Sequence, residues 1–75
     1  MSKTNHAVIL VYATSHALRA ETILAEAGIE SKLIPVPRHL SSDCGVCLRI
    51  SQEDMELAND TLTNTNLDFD GVYKV

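Results

Sequence analysis

The sequence predicts an α+β fold with one four-stranded antiparallel sheet and two helices on one of its faces. Two observations lead to this prediction. Hydrophobic residues make up 45% of the 75 residues, which is typical of a folded chain. Apolar runs and turn residues then mark elements in the order β-α-β-β-α-β, the split-βαβ or ferredoxin-like pattern, a label that implies no iron–sulfur cluster. A chain of this length is expected to form a single domain, residues 1–75, that buries about 60% of its unfolded surface.

The first two predicted elements are a central strand and an amphipathic helix. The run AVILVYA, residues 7–13, is apolar on both faces and rich in β-branched residues, as a central strand is. Thr14 or Ser15 is expected to cap the helix that follows, and Gly28 stands where a left-handed residue ends a helix. The apolar residues that recur at helical spacing are Ala17, Ala20, Leu24 and Ala27.

The next two predicted elements are strands. SKLIPV, residues 31–36, contains Pro35, which cannot donate a hydrogen bond within a sheet and therefore favours an edge strand. VCLRI, residues 46–50, alternates with period two, so Cys47 and Arg49 are expected on the face opposite the apolar side chains.

A second helix and a last strand complete the chain. Ser51 with Asp54 resembles a capping box, which predicts the start of a helix. Met55, Ala58 and Leu62 form its apolar stripe, and TNTN ends it. The closing FDGVYKV is predicted as a strand that Gly71 weakens.

Charge and composition restrict the class of partner and the compartment. A net charge of -4 and a pI near 5.1 argue against nucleic acid or an anionic membrane as partner. The apolar run at residues 7–13 is too short to span a membrane and lacks the flanks of a signal peptide. Two cysteines without a secretory signal therefore predict a cytoplasmic protein. The thin core makes a homodimer a natural supplement to its stability.

Both cysteines lie in PRHLSSDCGVC, residues 37–47, and three kinds of chemistry are conceivable there. A redox pair requires Cys44 and Cys47 to approach within about 7 Å, whereas three extended residues separate them by about 10 Å. A structural zinc site requires four ligands, and one chain offers too few, so no metal site is predicted. The third possibility is a single reactive thiol at Cys44.

The residues around Cys44 fit a reactive thiol. Gly45 has no side chain, so backbone amides can approach a sulfur anion, and Arg38 and His39 can lower the pKa of the thiol. Hydrogen bonds can come from Ser41 or Ser42. An unreactive loop cysteine remains the alternative for Cys44, and a packed small residue the alternative for Cys47.

The predicted topology also places this stretch within the fold. The loop between the second and third strands is expected at the sheet end where the first strand begins and the first helix finishes. His16, at the start of that helix, is expected at the opposite end, so it is not predicted to act as a base for Cys44.

A strand followed by SHALRAETILAEAGI and KLIPVPRHLSSDCGVCLRI resembles the small selenium/sulfur carrier protein-like family over nearly the whole chain. The segment ALRAE, residues 17–21, shares in the resemblance. The most specific element is a Pro-Arg-x-Leu-Ser-x-x-Cys-Gly core, met here by Pro37, Arg38, Leu40, Ser41, Cys44 and Gly45. The chain lacks the Cys-Pro-x-Pro motif of better-known small sulfur carriers, so their mechanism is not carried over.

The resemblance implies that Cys44 carries sulfur or selenium, as a persulfide or selenosulfide, from a donor protein to an acceptor enzyme. Arg38, Ser41 and Gly45 would form its motif environment. The expected protein is a non-enzymatic or weakly catalytic carrier, and no cofactor is predicted. Cys47 lies outside the core motif, and a role as resolving thiol is a hypothesis.

Two other functions stay open. One is a small-ligand-binding or protein-docking module that uses the open sheet face, where Tyr12 and Tyr73 are expected. The other is a thiol–disulfide switch between Cys44 and Cys47.

Overall fold

The computed structural model describes residues 5–37 and 45–74. Its elements are β1 (His6–Leu10), α1 (Thr14–Glu26), β2 (Lys32–Pro35), β3 (Val46–Ser51), α2 (Met55–Asn64) and β4 (Gly71–Lys74), with a 3₁₀ turn at Gln52–Asp54. The predicted α+β class is confirmed, as are the four-stranded antiparallel sheet and the two helices.

The strands lie in the order β2-β3-β1-β4. In the antiparallel pairing of β1 with β3, His6 lies opposite Ser51 and Leu10 opposite Cys47. The predicted central strand is therefore confirmed, but it ends at Leu10 and not at Ala13, where the apolar run ends. β2 pairs only with β3 in this order, so the edge position predicted from Pro35 is also confirmed.

The main core lies between the sheet and the two helices. Alternate residues of β1 and β3 point into it, together with buried residues of α1 and α2. The predicted apolar stripes of the two helices are confirmed, with one exception. Ala27 follows the last residue of α1 and is exposed, so its predicted place in the stripe is wrong. Its buried members are Ala7, Ile9, Val11, Ala17, Ala20, Leu24, Ile29, Leu48, Ile50, Ala58, Leu62 and Leu67. Each large aliphatic side chain buried here contributes about 1.5–3 kcal/mol to folding.

The opposite face of the sheet carries a second, smaller apolar cluster. Val8, Leu10 and Cys47 are buried there, and Ile34 and Val36 pack against them. Among the described residues, this cluster contains none from α1 or α2. The alternation predicted for β3 is confirmed, since Cys47 lies on this face and its neighbours Val46 and Leu48 belong to the main core.

The two ends of α1 differ in how well the sequence predicted them. Ala13 occupies the N-cap position and no side chain caps the helix, so the predicted cap at Thr14 or Ser15 is wrong: Thr14 is already the first helical residue. At the other end Gly28 has φ +81°, and the Ile29 amide donates to the Leu24 carbonyl at 2.9 Å. This is a Schellman ending, as Gly28 predicts.

The start of α2 is more complex than a simple capping box. Ser51 accepts a hydrogen bond from the Glu53 amide at 3.3 Å, so it caps the 3₁₀ turn, and α2 itself begins only at Met55. The predicted break after the helix is confirmed. Asn66 has φ 60° there, a conformation that asparagine tolerates better than most residues, and the Leu67 amide returns to the Leu62 carbonyl.

The connection between β2 and β3 lies at the sheet end where β1 finishes and α1 begins. Leu10, the last residue of β1, is opposite Cys47, and Pro35, the last of β2, is opposite Val46. The sequence-based placement at the other end is therefore wrong. Because β1 and β2 both run antiparallel to β3, they run parallel to each other and finish at the same end.

Tyr73 on β4 faces away from the helices, as its pairing opposite Val8 shows. Its hydroxyl donates a hydrogen bond to the Asp70 carboxylate at 3.2 Å. This bond, and then the negative charge of Asp70, raise the pKa of Tyr73, because both disfavour the phenolate. The ring lies against Gly71: a β-carbon built there would be 3.0 Å from the tyrosine hydroxyl oxygen.

Gly28→Ala is expected to lower the free energy of unfolding by about 1 kcal/mol, the cost of a left-handed conformation for a residue with a β-carbon. No atom lies within 4 Å of the added carbon, so the cost is conformational and not steric. Urea denaturation measures it. Gly45→Ala is the matched control, since its site is equally open and its φ is not positive; an equal loss in both variants would contradict this account.

Asp70→Asn is expected to lower the pKa of Tyr73 toward the ordinary tyrosine value, because the phenolate no longer faces a carboxylate. Gly71→Ala should act in the same direction by displacing the ring. Tyrosinate absorbance against pH, in a Tyr12→Phe background, isolates Tyr73. Asp68→Asn serves as control, and a midpoint that responds equally to Asp68 and Asp70 would refute the assigned contact.

Candidate thiol site

The site predicted from the sequence lies partly outside the described residues. Five of its members fall there: Arg38, His39, Ser41, Ser42 and Cys44. Gly45 and Cys47 are described, as is Pro37 on the other side of the connection. The roles predicted for the other five residues remain predictions. The described residues on either side of them show where the connection leaves and rejoins the sheet.

The two ends of the connection are held together. The Val36 amide donates a hydrogen bond to the Gly45 carbonyl at 3.3 Å, which continues the β2–β3 ladder by one step beyond Pro35 and Val46. Gly45 is exposed, and nothing lies within 4 Å of the position that its β-carbon would occupy. Gly45 therefore leaves open space at the position where another residue would carry its side chain.

Cys47 is in a different environment. It is 0% exposed and lies on the sheet face opposite the helices, among Val8 and Leu10. Its thiol donates a long hydrogen bond, 3.9 Å, to the Pro35 carbonyl on the neighbouring strand. Cys47 is thus a packed member of the sheet, the alternative that the strand pattern left open for it.

The start of α1 lies at the same sheet end. α1 contacts β3 and β2, and it runs in the same direction as β3, since both leave the end where β1 finishes. The positive end of the α1 dipole, equivalent to roughly +0.5 charge, therefore faces the end of the molecule that holds Gly45. A helix N-terminus stabilises thiolates that lie close to it.

His16 is a residue that the sequence analysis set aside. It lies in the first turn of α1, and its Nδ1 atom is buried without a hydrogen-bond partner among residues 5–37 and 45–74. The parallel direction of β1 and β2 is the feature that would have placed His16 correctly at this end of the sheet. That direction places the first turn of α1 and the β2–β3 connection at one end of the sheet.

Arg49 does not belong to this site. It lines a groove of about 1040 Å³ at the opposite end of the sheet, together with His6, Lys32 and the end of α1. Arg38 and His39 remain the basic side chains predicted to act on Cys44, and both lie outside the described residues.

The described part of the chain shows neither a metal-binding group nor a membrane-spanning helix. In residues 5–37 and 45–74, no group of three or more histidine, cysteine or acidic side chains is arranged to hold a metal ion. Over the same residues, neither helix has the length and apolar character needed to cross a membrane.

Comparison with known proteins identifies the family. The family model described as "Putative Se/S carrier protein-like" matches residues 6–74, from the first residue of β1 to the last of β4. Nothing among curated proteins or solved structures matches the chain. The match covers nearly all of the sequence, including the Pro-Arg-x-Leu-Ser-x-x-Cys-Gly core. The chain therefore belongs to the Se/S carrier protein-like family.

Proposed function

We propose that this protein carries sulfur or selenium on Cys44, as a persulfide or selenosulfide, and delivers it to an acceptor enzyme. The observation that carries the proposal is the family match over residues 6–74, which includes Cys44 and its motif. In this role the chain binds a donor and then an acceptor, and it acts as a carrier more than as a catalyst. Its arrangement is the ferredoxin-like one, and its compartment is the cytoplasm.

The transfer step is balanced and requires no outside oxidant. The Cys44 thiolate attacks the outer sulfur of a donor persulfide, a new S–S bond forms, the donor's own S–S bond breaks, and the donor leaves as a thiolate. The outer atom keeps its oxidation state throughout, so the protein moves it without a redox reaction. An acceptor thiolate removes it from Cys44 by the same exchange.

Three features of the described residues support this chemistry. Gly45, the residue that follows Cys44, is exposed and has no described atom within 4 Å of the position of a β-carbon, so it does not crowd a sulfur adduct with a side chain of its own. The hydrogen bond between Val36 and Gly45 fixes both ends of the connection to the sheet. The first turn of α1 lies at the same end, and its dipole favours a thiolate. Arg38, His39, Ser41 and Ser42 would add charge and hydrogen bonds to the adduct.

A second candidate function is binding of a small ligand at the groove of about 1040 Å³. This groove lies at the other end of the sheet, between the end of α1 and the end of β3. Its lining carries charges of both signs, including Glu26, Lys32 and Arg49. This position, rather than the open sheet face, is where a ligand-binding function would act, because Val8 and Leu10 at the centre of that face are already buried.

Loading with sulfur is expected to require Cys44 and not Cys47. Reduced protein incubated with polysulfide, or with selenite and a thiol, should gain the mass of one sulfur or one selenium, removable by reductant. Cys44→Ser should abolish the gain, and Cys47→Ser should retain it. Intact-protein mass spectrometry measures both.

Other outcomes of the same experiment identify the alternatives. Loading that survives Cys44→Ser excludes this carrier assignment. A loss of two hydrogens that needs both cysteines indicates the thiol–disulfide switch. No mass change in any variant favours the groove as the functional site.

The two thiols are expected to differ in reactivity because Cys47 is fully buried. Iodoacetamide should label the native protein once and the urea-unfolded protein twice. Native Cys44→Ser should then resist labelling, and Cys47→Ser should label as fast as the wild type. Rapid native labelling at Cys47, mapped by peptide mass spectrometry, would show that the buried position is not maintained in solution.

A further inference from the structure

We propose that Lys32, Arg49 and Ser51 form a binding site for a phosphate group on the sheet side of the groove. Such a site assigns a ligand class to the groove, the second candidate function. It rests on ligand binding there and is independent of sulfur transfer at Cys44. The strand register and the distribution of charge over the sheet lead to it.

The three residues are neighbours on one face of the sheet. Lys32 on β2 lies directly opposite Arg49 on β3, and opposite residues of an antiparallel pair point to the same face. Alternate residues of a strand also share a face, so Arg49 and Ser51 lie on the side of β3 that carries Cys47, away from the helices. Neighbouring β-carbons are about 5 Å apart across the strands and about 7 Å apart along β3. One small ligand can therefore reach all three side chains.

The pairing of Lys32 with Arg49 leaves a repulsion that the described residues do not neutralise. Two like charges directly opposite each other destabilise a pair of strands. Neither side chain forms an ion pair with a carboxylate of residues 5–37 and 45–74. Arg49 is partly buried and lies opposite the buried Val8 of β1, so its stem is held against the sheet. An anion bound between the two cations would remove the repulsion.

Charge is divided between the strands and the rest of the molecule. The strand residues that carry a full charge at neutral pH are Lys32, Arg49 and Lys74, and all are positive. The described carboxylates lie in the helices, the 3₁₀ turn and the connections. The sheet face at Lys32 and Arg49 is therefore locally positive, although the net charge of the chain is -4.

The groove of about 1040 Å³ supplies the space for a ligand, since Lys32, Arg49 and Ser51 all line it. Its acidic residues belong to α1, to the connection after α1 and to the 3₁₀ turn. They are Glu21, Glu26, Glu30 and Asp54. The end of α1 also carries the negative end of the helix dipole. An anion is therefore expected on the sheet side of the groove and not against α1.

The three side chains suit the oxygens of a phosphate group. A guanidinium offers parallel N–H donors to two oxygens, and an ammonium adds a compact charge. The Ser51 oxygen accepts a hydrogen bond from the Glu53 amide, and its own O–H remains able to donate. Two cations match the charge of a phosphate, about -1.5 to -2 at pH 7. A nucleic acid fits less well, because the net negative charge of the chain repels a long polyanion.

The test is an NMR titration of the protein with sodium phosphate at pH 7 and constant ionic strength, with chloride making up the balance. The amide signals of Lys32, Arg49 and Ser51 should shift and saturate, and that of Gly45, at the other end of the sheet, should not move. Arg49→Gln should weaken the affinity about tenfold, since charge-assisted hydrogen bonds are lost. Shifts that do not saturate, or the absence of any shift, would refute the site.

Lys74→Gln is the matched control, because it removes the same charge from another strand. Lys74 lies opposite Ala7, a residue of the main core, so its position is on the other face of the sheet. This variant should bind phosphate as the parent does, whereas Lys32→Gln should bind it more weakly. Equal weakening in the two variants would overturn the site, since phosphate would then respond only to the overall charge.

A second measurement separates binding from a structural role of Lys32. Without phosphate, Lys32→Gln should unfold at the same urea concentration as the parent or at a higher one, because it removes a contact between like charges. With phosphate, the parent should gain more stability than the variant does. A lower midpoint of the variant without phosphate would contradict the site, since Lys32 would then stabilise the fold without an anion.

A phosphate monoester, glycerol phosphate, distinguishes the two sources of the group. Tighter binding than that of inorganic phosphate identifies a phosphorylated small molecule as the ligand, and weaker binding identifies the free ion. Sulfur loading of Cys44 is measured separately in the parent protein, so a failure of phosphate binding leaves the carrier function standing.

Discussion

The antiparallel insertion of β3 between β1 and β2 is the constraint on which the other features depend. It makes β1 and β2 parallel, so the chain must return along α1 before β2 can begin. The end of β1, the start of α1 and both ends of the β2–β3 connection are thereby gathered at one end of the sheet. Gly45 and the first turn of α1 lie at the same end of the sheet because of strand direction, and not because they are close in sequence.

The same pairing separates the two cysteines by environment. The pleat of β3 turns Cys47 away from the helices, where Val8 and Leu10 enclose it. A slip of one residue in the register would move Leu48 out of the main core, so the position of Cys47 is held by the burial of its neighbours. Cys44 precedes the strand and is bonded to an exposed glycine. The Cys47 thiol is therefore part of the packed sheet, whereas Cys44 belongs to the segment that connects β2 with β3.

The two ends of the sheet also differ in electrostatic character. At the end with the connection, α1 presents the positive end of its dipole, and the Nδ1 atom of His16 has no hydrogen-bond partner in the described part of the chain. At the other end, the groove collects charges of both signs, including Glu21, Lys32 and Arg49. The dipole favours an anion at the first end, whereas the groove offers a mixture of charges.

Local sequence patterns predicted the helices and strands well. The direction in which the strands run through the sheet was predicted less well. Period-two alternation in VCLRI, Pro35 and Gly28 each report on their own surroundings, so strand face, edge position and helix ending were all predicted correctly. The start of α1 was wrong, since the capping residue types at Thr14 and Ser15 lie inside the helix. The end of the sheet that holds the connection was also wrong, because strand direction is a property of the whole fold. His16 was set aside for that reason alone.

The central claim is that Gly45 and the first turn of α1 lie at the same end of the sheet, and a spin label on the adjoining Cys44 tests it most directly. In a Cys47→Ala background, a nitroxide at Cys44 should broaden the NMR amide signals of His16, Ala17 and Leu10 strongly. It should leave those of Gly28 to Lys32, at the far end of the sheet, comparatively sharp. Strong broadening at Gly28 to Lys32 with sharp signals in the first turn of α1 would contradict the account.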